Sequence, residues 1–241
     1  MSRENRIPVT YESFCEIVAG KKFTNGADKD TIVLPRYKQT FDDIVPSLLS
    51  MEFANVGITT RQAQQLLDLI RAHTPGLQRL NLTGNGDIDL PLQALCAPPT
   101  LTVLRLQYCR EISGDIAALQ ALPNLTVLDL GGCEQVTGDI KALEPLVHLT
   151  ELYQWKTRVT GDIKAFQPLV HLKQVWLYDT RVTGDVKALE PLVHLTRLHL
   201  DRSQVTGDVK ALEPLTHLKS FGLDGTRVTG DIEGFKRSRG L

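Results

Sequence analysis

Leucine or another aliphatic residue recurs along the chain in the order L-x-x-L-x-L, with mostly polar residues between the last three apolar positions. Strict alternation of this kind predicts a short strand with one buried face. From Leu77 onward, successive units begin 23 or 24 residues apart. The first leucines of the units are Leu48, Leu77, Leu101, Leu125, Leu149, Leu172, Leu195 and Leu218. Because one unit cannot bury its own leucines, we expect about eight units to stack around a shared core.

The second half of each later unit carries the sequence V-x-G-D-I or V-x-G-D-V, followed by a short apolar run. The glycine predicts a backbone bend where a Cβ would clash, and the aspartate predicts the N-cap of a short helical turn. A calcium site is the alternative, but each unit offers only one carboxylate at a tight turn. The aspartates are Asp115, Asp139, Asp162, Asp185, Asp208 and Asp231.

These repeats resemble those of the leucine-rich-repeat family, from about Leu48 to Ile232. The G-D-I segment is similar to the plant-type repeat L-x-G-x-I-P, usually with Lys or Glu in place of the proline. The first unit, with ITTRQAQQLLDLIRAHTPGLQRL, resembles the ribonuclease-inhibitor-like type, which has a full helix. The resemblance implies an α/β fold: a right-handed solenoid with a concave parallel β-sheet and short helical or 3-10 turns on its convex side. A fold of this kind leaves the function open.

Both ends of the chain depart from the repeat. Residues 1–47 are predicted to form an N-terminal capping segment, and residues 48–241 form the solenoid. No polar capping unit follows Ile232, so Leu218, Phe221 and Leu223 are expected to be poorly covered. A shortened chain, partial cover by the basic tail, and a partner that docks end-on are the three explanations.

Composition narrows the class of protein. The chain of 241 residues is 42% hydrophobic and 23% charged, with a net charge of -1, which is typical of a globular protein and gives no case for nucleic acid or a membrane surface as partner. The first residues show no secretory signal, and no apolar run is long enough to span a membrane. The four cysteines, without a C-x-x-C pair, favour a reducing compartment. We therefore predict a cytoplasmic protein, in which the sequons at Asn81 and Asn124 are by-products of the repeat.

Histidine and cysteine each recur at one position of the repeat, and in both cases a structural role is favoured. The histidines precede the strands and project in parallel, so surface turns are favoured over a zinc site; they are His148, His171, His194 and His217. Cys109 and Cys133 stand at a position held elsewhere by Asn, Thr or Ser, where the family resemblance implies a structural spine. Neither cysteine has a histidine at a matching position in its own or an adjoining unit that could act as a base. The motifs of common enzyme classes are absent from the sequence. The sequence predicts no enzyme activity, cofactor or metal.

Aromatic residues mark the expected binding face. Residues that flank the inward leucines point out of the concave sheet, and both tryptophans of the chain fall there beside two tyrosines in adjacent strands: Tyr153, Trp155, Trp176 and Tyr178. Charged and polar neighbours on the same face are Arg105, Arg197, His199 and Asp201. Tyr, Trp and Arg dominate binding hot spots, so we predict a non-catalytic protein–protein interaction scaffold with a protein or peptide partner on this face.

Several alternatives stay open at this point. Gln154 stands where the repeat requires an inward leucine, so the strand could bulge and turn Trp155 toward the core. The chain could instead be a structural subunit that docks through its C-terminal end, or the recognition domain of a longer enzyme. Aromatic rings also stack on sugars, which makes carbohydrate capture a further alternative.

Overall fold

The computed structural model describes residues 49–240, which form a solenoid with two parallel sheets along its length. The larger sheet has eight strands in chain order, and each strand pairs with the same repeat position in the next unit. These strands are β1 (Ser50–Glu52), β2 (Arg79–Asn81), β3 (Val103–Arg105), β5 (Val127–Asp129), β7 (Glu151–Tyr153), β9 (Gln174–Trp176), β11 (Arg197–His199) and β13 (Ser220–Gly222). The capping segment predicted for residues 1–47 lies outside the described residues.

A second sheet of six strands runs beside the first, and the sequence did not predict it. Its strands are β4 (Ser113–Asp115), β6 (Gln135–Asp139), β8 (Arg158–Asp162), β10 (Arg181–Asp185), β12 (Gln204–Asp208) and β14 (Arg227–Thr229). Five of the six strands contain the glycine that was expected only to bend the chain, and in the sixth, β14, Gly230 directly follows the strand. Gly138, for example, has a φ of 117° inside β6. A Cβ there would overlap the Asp115 carboxylate of the preceding repeat, as predicted.

The helical segments match the predicted turns. Asp139 caps a 3-10 helix by accepting the backbone N–H of Lys141 at 2.8 Å, and the same contact recurs in the neighbouring repeats. These 3-10 helices are Leu92–Leu95, Ile116–Ala121, Ile140–Leu143, Ile163–Phe166, Val186–Leu189 and Val209–Leu212. The full helix predicted in the first unit is α1 (Thr60–His73), which begins at a capping box of Thr59 and Gln62. The aspartates are therefore confirmed as N-caps.

The core is one continuous cluster of leucine, isoleucine and valine side chains shared by all the stacked units. The cysteine ladder lies inside it: the Cys109 thiol donates to the Leu82 carbonyl oxygen at 3.1 Å, and the Cys133 thiol donates to Leu106 at 3.0 Å. Burial raises the pKa of Cys109 to about 11, so the group stays a thiol. This is the structural role that the family resemblance implied.

Gln154 is the polar exception in the core. It is fully buried, and neither its amide oxygen nor its amide nitrogen has a hydrogen-bond partner within the described chain. The backbone around it is regular, since its N–H donates to the Trp176 carbonyl at 2.9 Å and Lys156 N–H donates to Tyr178 at 3.0 Å. The predicted bulge is therefore wrong.

A short helix covers the C-terminal end of the stack. In α2 (Ile232–Arg239), Phe235 is buried and packs edge-on against Phe221, with ring centroids 5.2 Å apart. Leu218 and Leu223 are only 3% and 5% exposed. Of the three explanations given for this end, cover by the basic tail is the one that the structure supports, because the tail folds back and Arg239 donates to the backbone carbonyls of Leu215 and Glu213. The two leucines are covered, and Phe221 is partly buried.

Candidate functional site

The eight-stranded sheet brings the predicted aromatic residues into two neighbouring rows. Strand pairing places Tyr153 beside Trp176, and Trp176 beside His199. Trp155 and Tyr178 follow β7 and β9 at their carboxyl ends, so they form a second row next to the first. Units of equal length put equivalent residues side by side, which is why the sequence spacing was sufficient to predict this adjacency.

The rings of this face contact one another in a chain. The Trp155 and Tyr178 rings are stacked, with centroids 5.3 Å apart and planes 7° apart. Tyr153 meets Trp176 edge-on at 5.4 Å, and Trp176 lies 6.5 Å from Tyr178. His199 extends the chain, with its ring 5.3 Å from that of Trp176. Offset and edge-on contacts of this kind stabilise aromatic groups beyond their buried area.

Tyr108 belongs to the same group, although the sequence analysis did not select it. Its ring lies 5.2 Å from that of Trp155, and 46% of the residue is exposed. It occupies the turn after β3 in the left-handed region, with a φ of 61°. The alternation used to find outward residues ends with the strand, so it could not reach this turn. We call Tyr108, Tyr153, Trp155, Trp176 and Tyr178 the aromatic cluster.

Trp155 lies on the sheet surface and not in the core, yet only 4% of it is exposed. The ring lies over Gly131, where a Cβ would overlap the indole, whereas a Cβ at the neighbouring Gly132 would crowd the Tyr108 ring at 2.9 Å. Gly131 therefore makes the space that Trp155 fills, and Gly132 leaves room for Tyr108. The indole N–H groups of Trp155 and Trp176 are both buried and have no acceptor within the described residues.

Carboxylates flank the aromatic cluster on the side of β5. The Tyr153 hydroxyl donates to Glu151 Oε2 at 3.1 Å, and Arg105 Nη2 lies 4.0 Å from the same oxygen. Asp129 is 7% exposed and accepts the backbone N–H of Gly131 at 3.0 Å. Burial raises the pKa of Asp129 to about 6, against the opposing effects of that hydrogen bond and of Arg105. The carboxyl group therefore holds its proton to a higher pH than an exposed aspartate does.

Polar residues on the other side of the cluster are paired with each other. Arg197 Nη1 donates to Gln174 Oε1 at 3.1 Å, and His199 Nδ1 lies 3.7 Å from Asp201 Oδ2. Burial lowers the pKa of His199, although the Asp201 charge acts in the opposite direction. All eight residues predicted for the site lie on this face. Trp155 is the most buried of them, and Arg197 is among the exposed residues.

This surface presents aromatic rings, hydrogen-bond donors and charged groups, which are the groups that bind a partner by non-covalent contacts. Across residues 49–240, no three His, Cys, Asp or Glu side chains come together in a way that could hold a metal ion. Within the same range, no helix is long and apolar enough to cross a membrane.

The fold of this chain is similar to that of several proteins of known structure. No protein-family model and no curated protein matches the sequence. Internalin C2 from Listeria monocytogenes is similar, with a TM-score of 0.57 and 23% identity over 79% of this chain and 77% of that chain. The chain has the leucine-rich-repeat fold.

Two plant receptors show the same architecture in longer proteins. One is the leucine-rich-repeat ectodomain of the receptor kinase GASSHO1/SCHENGEN3 from Arabidopsis thaliana, in complex with Casparian strip integrity factor 2. Its TM-score is 0.51, with 21% identity over 68% of this chain and 26% of that chain. The other is the plant peptide hormone receptor RGFR1 in complex with RGF2, with a TM-score of 0.55 and 17% identity over 76% of this chain and 33% of that chain. Identities at this level establish the fold alone.

Proposed function

We propose that this protein is a non-catalytic interaction scaffold that holds a protein or peptide partner on the aromatic cluster. The observation that carries the proposal is the collection of five large rings on one outward face of the solenoid, four of them in or just after β7 and β9. Trp176, Tyr153 and Tyr178 remain half-exposed, so a partner would bury additional ring surface. Fixed rings lose little conformational entropy on binding, which is why Trp and Tyr dominate hot spots.

The arrangement of charged residues around the aromatic cluster supports a partner that binds in one fixed orientation. Asp129, Glu151 and Arg105 lie on one side of the cluster, and Arg197, His199 and Asp201 lie on the other. Charged groups around an apolar centre contribute more to orientation and selectivity than to affinity. The two plant receptors with the same fold were solved in complex with Casparian strip integrity factor 2 and RGF2, which supports a protein-ligand role for this fold.

The test is affinity capture from a native lysate with three baits that are compared quantitatively. The baits are the wild type, Trp176→Ala in the cluster, and Arg181→Ala on the exposed face of the six-stranded sheet. Truncating one hot-spot residue weakens binding by about tenfold or more. We expect Trp176→Ala to lose a partner that the wild type and Arg181→Ala both retain.

A fourth bait examines end-on docking through the C-terminal helix. Arg237 is exposed on α2, so Arg237→Glu changes the charge of that end without disturbing buried Phe235. A partner that survives Trp176→Ala but is lost with Arg237→Glu would overturn the proposal in favour of an assembly subunit that docks through this end. A sugar oligomer that competes for the wild type, while no protein is captured, would favour the carbohydrate alternative.

The cytoplasmic location remains a prediction that a simple measurement can decide. Asn124 is exposed in a sequon, with its amide nitrogen 3.1 Å from the Pro99 carbonyl. A chain that passes through the secretory pathway is expected to carry an N-linked glycan there. The intact mass of protein from its native source should therefore equal the peptide mass if the location is cytoplasmic.

A further inference from the structure

An open groove of about 780 Å³ runs along the edge of the eight-stranded sheet where its strands begin. It is separate from the aromatic cluster, which lies on the strands and at their carboxyl ends. The groove crosses several repeats, from Gln78 to His194. None of its ten lining residues is acidic, and none is Phe, Tyr or Trp. It is thus an open groove that crosses the strands, is lined by polar and basic residues, and has no negative charge in its walls.

The floor of the groove is a ladder of threonine hydroxyls. Thr126 Oγ1 donates to the Thr102 carbonyl at 3.0 Å, and Thr150 Oγ1 donates to the Thr126 carbonyl at 3.0 Å. Each hydroxyl hydrogen is therefore committed to the preceding repeat. The oxygen lone pairs remain as acceptors for donors that enter from the groove, such as the N–H groups of a peptide.

The wall of the groove is a ladder of histidines. His148, His171 and His194 are exposed, and none has a hydrogen bond or ion pair within residues 49–240. Lys173 is the one lining residue that is charged at neutral pH, and no acidic side chain lines the groove to neutralise it. Each imidazole can donate a ring N–H to a carboxylate oxygen, and the histidines recur about every 4.8 Å along the groove.

We propose that this groove is a second binding surface, which takes an extended acidic peptide segment running across the strands. Floor acceptors suit peptide N–H groups, and the histidine and lysine wall suits aspartate and glutamate side chains. Nucleic acid is disfavoured because single strands are bound by stacking bases on aromatic rings, and the lining offers no Phe, Tyr or Trp. Sugar rings lack a stacking platform there for the same reason. The proposal does not depend on the function proposed for the aromatic cluster.

The probe is a fluorescein-labelled polyglutamate peptide, titrated with the purified protein at about pH 7 in low salt while polarisation is measured. Polyglutamate should bind about tenfold more tightly than a polyglutamine peptide of the same length, and added salt should weaken the binding. The triple variant His148→Ala/His171→Ala/His194→Ala should lower the affinity for polyglutamate about tenfold, because it removes three hydrogen-bond donors to the carboxylates. These residues are exposed and unbonded, so the variant is expected to fold, and circular dichroism checks this.

Two matched controls locate the effect. His217 occupies the same ladder position but does not line the groove, so His217→Ala should bind as the wild type does. Trp176→Ala in the aromatic cluster should also leave polyglutamate binding unchanged. A triple variant that binds like the wild type, or binding that added salt does not weaken, would overturn the proposal. Binding of a sulfated oligosaccharide or an oligothymidine, without binding of polyglutamate, would overturn the assignment to a peptide.

Discussion

Gln154 provides the most direct test of how the repeat determines stability. The inward position it occupies is leucine in the next repeat, where Leu177 is fully buried in the same core. Both polar atoms of the Gln154 amide are buried without a partner in the described chain. Leaving a buried amide unpaired costs about 1–3 kcal/mol by the standard of protein mutations. The substitution Gln154→Leu removes this penalty and adds apolar burial.

The expected gain is about 3 kcal/mol in the free energy of unfolding, from the relieved penalty and the added apolar area together. For a chain of this size, a gain of that magnitude raises Tm by roughly 6–12 °C. Thermal and urea denaturation followed by circular dichroism measure both quantities. The matched control is Leu177→Gln, which places the same amide at the equivalent position and should lower stability by a similar amount or more.

The reasoning would be refuted if Gln154→Leu left Tm unchanged or lowered it while Leu177→Gln was destabilising. That pattern would mean that the Gln154 amide is satisfied in solution, by a buried water or by another rotamer. Near-ultraviolet circular dichroism of Trp155 and Trp176 supplies a second readout. The aromatic cluster lies on the other side of the sheet from residue 154, so its signal should not change.

Three further substitutions test the site and the C-terminal end. Gly131→Ala should displace the Trp155 indole, lower stability by about 1–3 kcal/mol and increase acrylamide quenching of tryptophan fluorescence. Asp129→Asn should stabilise the protein by about 1–3 kcal/mol at pH 7–8, and the difference should disappear below about pH 4. The folded state raises the pKa of Asp129 to about 6, so folding takes up a proton between about pH 4 and 6 and stability falls as the pH rises through that window. Phe235→Ala should cost about 2–4 kcal/mol in urea denaturation, because it removes the ring that packs on Phe221, whereas Arg237→Ala on the exposed side of α2 should cost little.

The larger sheet could be predicted from sequence because its signal is local and repeated. Leucines in strict alternation give the strands, and constant unit length gives the register. The second sheet was missed because a glycine with positive φ lies in, or directly after, each of its strands, and such a glycine ordinarily indicates a turn. Its signal was the pair of β-branched residues in V-T-G-D, with Val136 buried and Thr137 exposed.

The C-terminal helix, the position of Tyr108 and the groove could not be predicted from the sequence, because each depends on how distant parts of the chain pack together. The tail around Phe235 has too little apolar sequence to predict a helix, and its burial depends on the open end of the stack that it covers. Tyr108 lies on a turn outside the alternation, so only the path of the chain places it on Trp155. The groove is formed by loop residues from several units, and no single unit contains it.

The positions of the departures from the repeat themselves bear on function. The neighbouring units show that Leu satisfies the core position of Gln154, so the fold does not require the buried amide there. It also does not require Gly131, whose missing Cβ leaves room for Trp155. These exceptions lie in two consecutive units of an otherwise regular array, directly beneath or beside the aromatic cluster. Local departures that carry an energetic penalty without improving packing are expected at functional sites. These departures from the repeat support the proposal that the aromatic cluster is the surface that holds a partner.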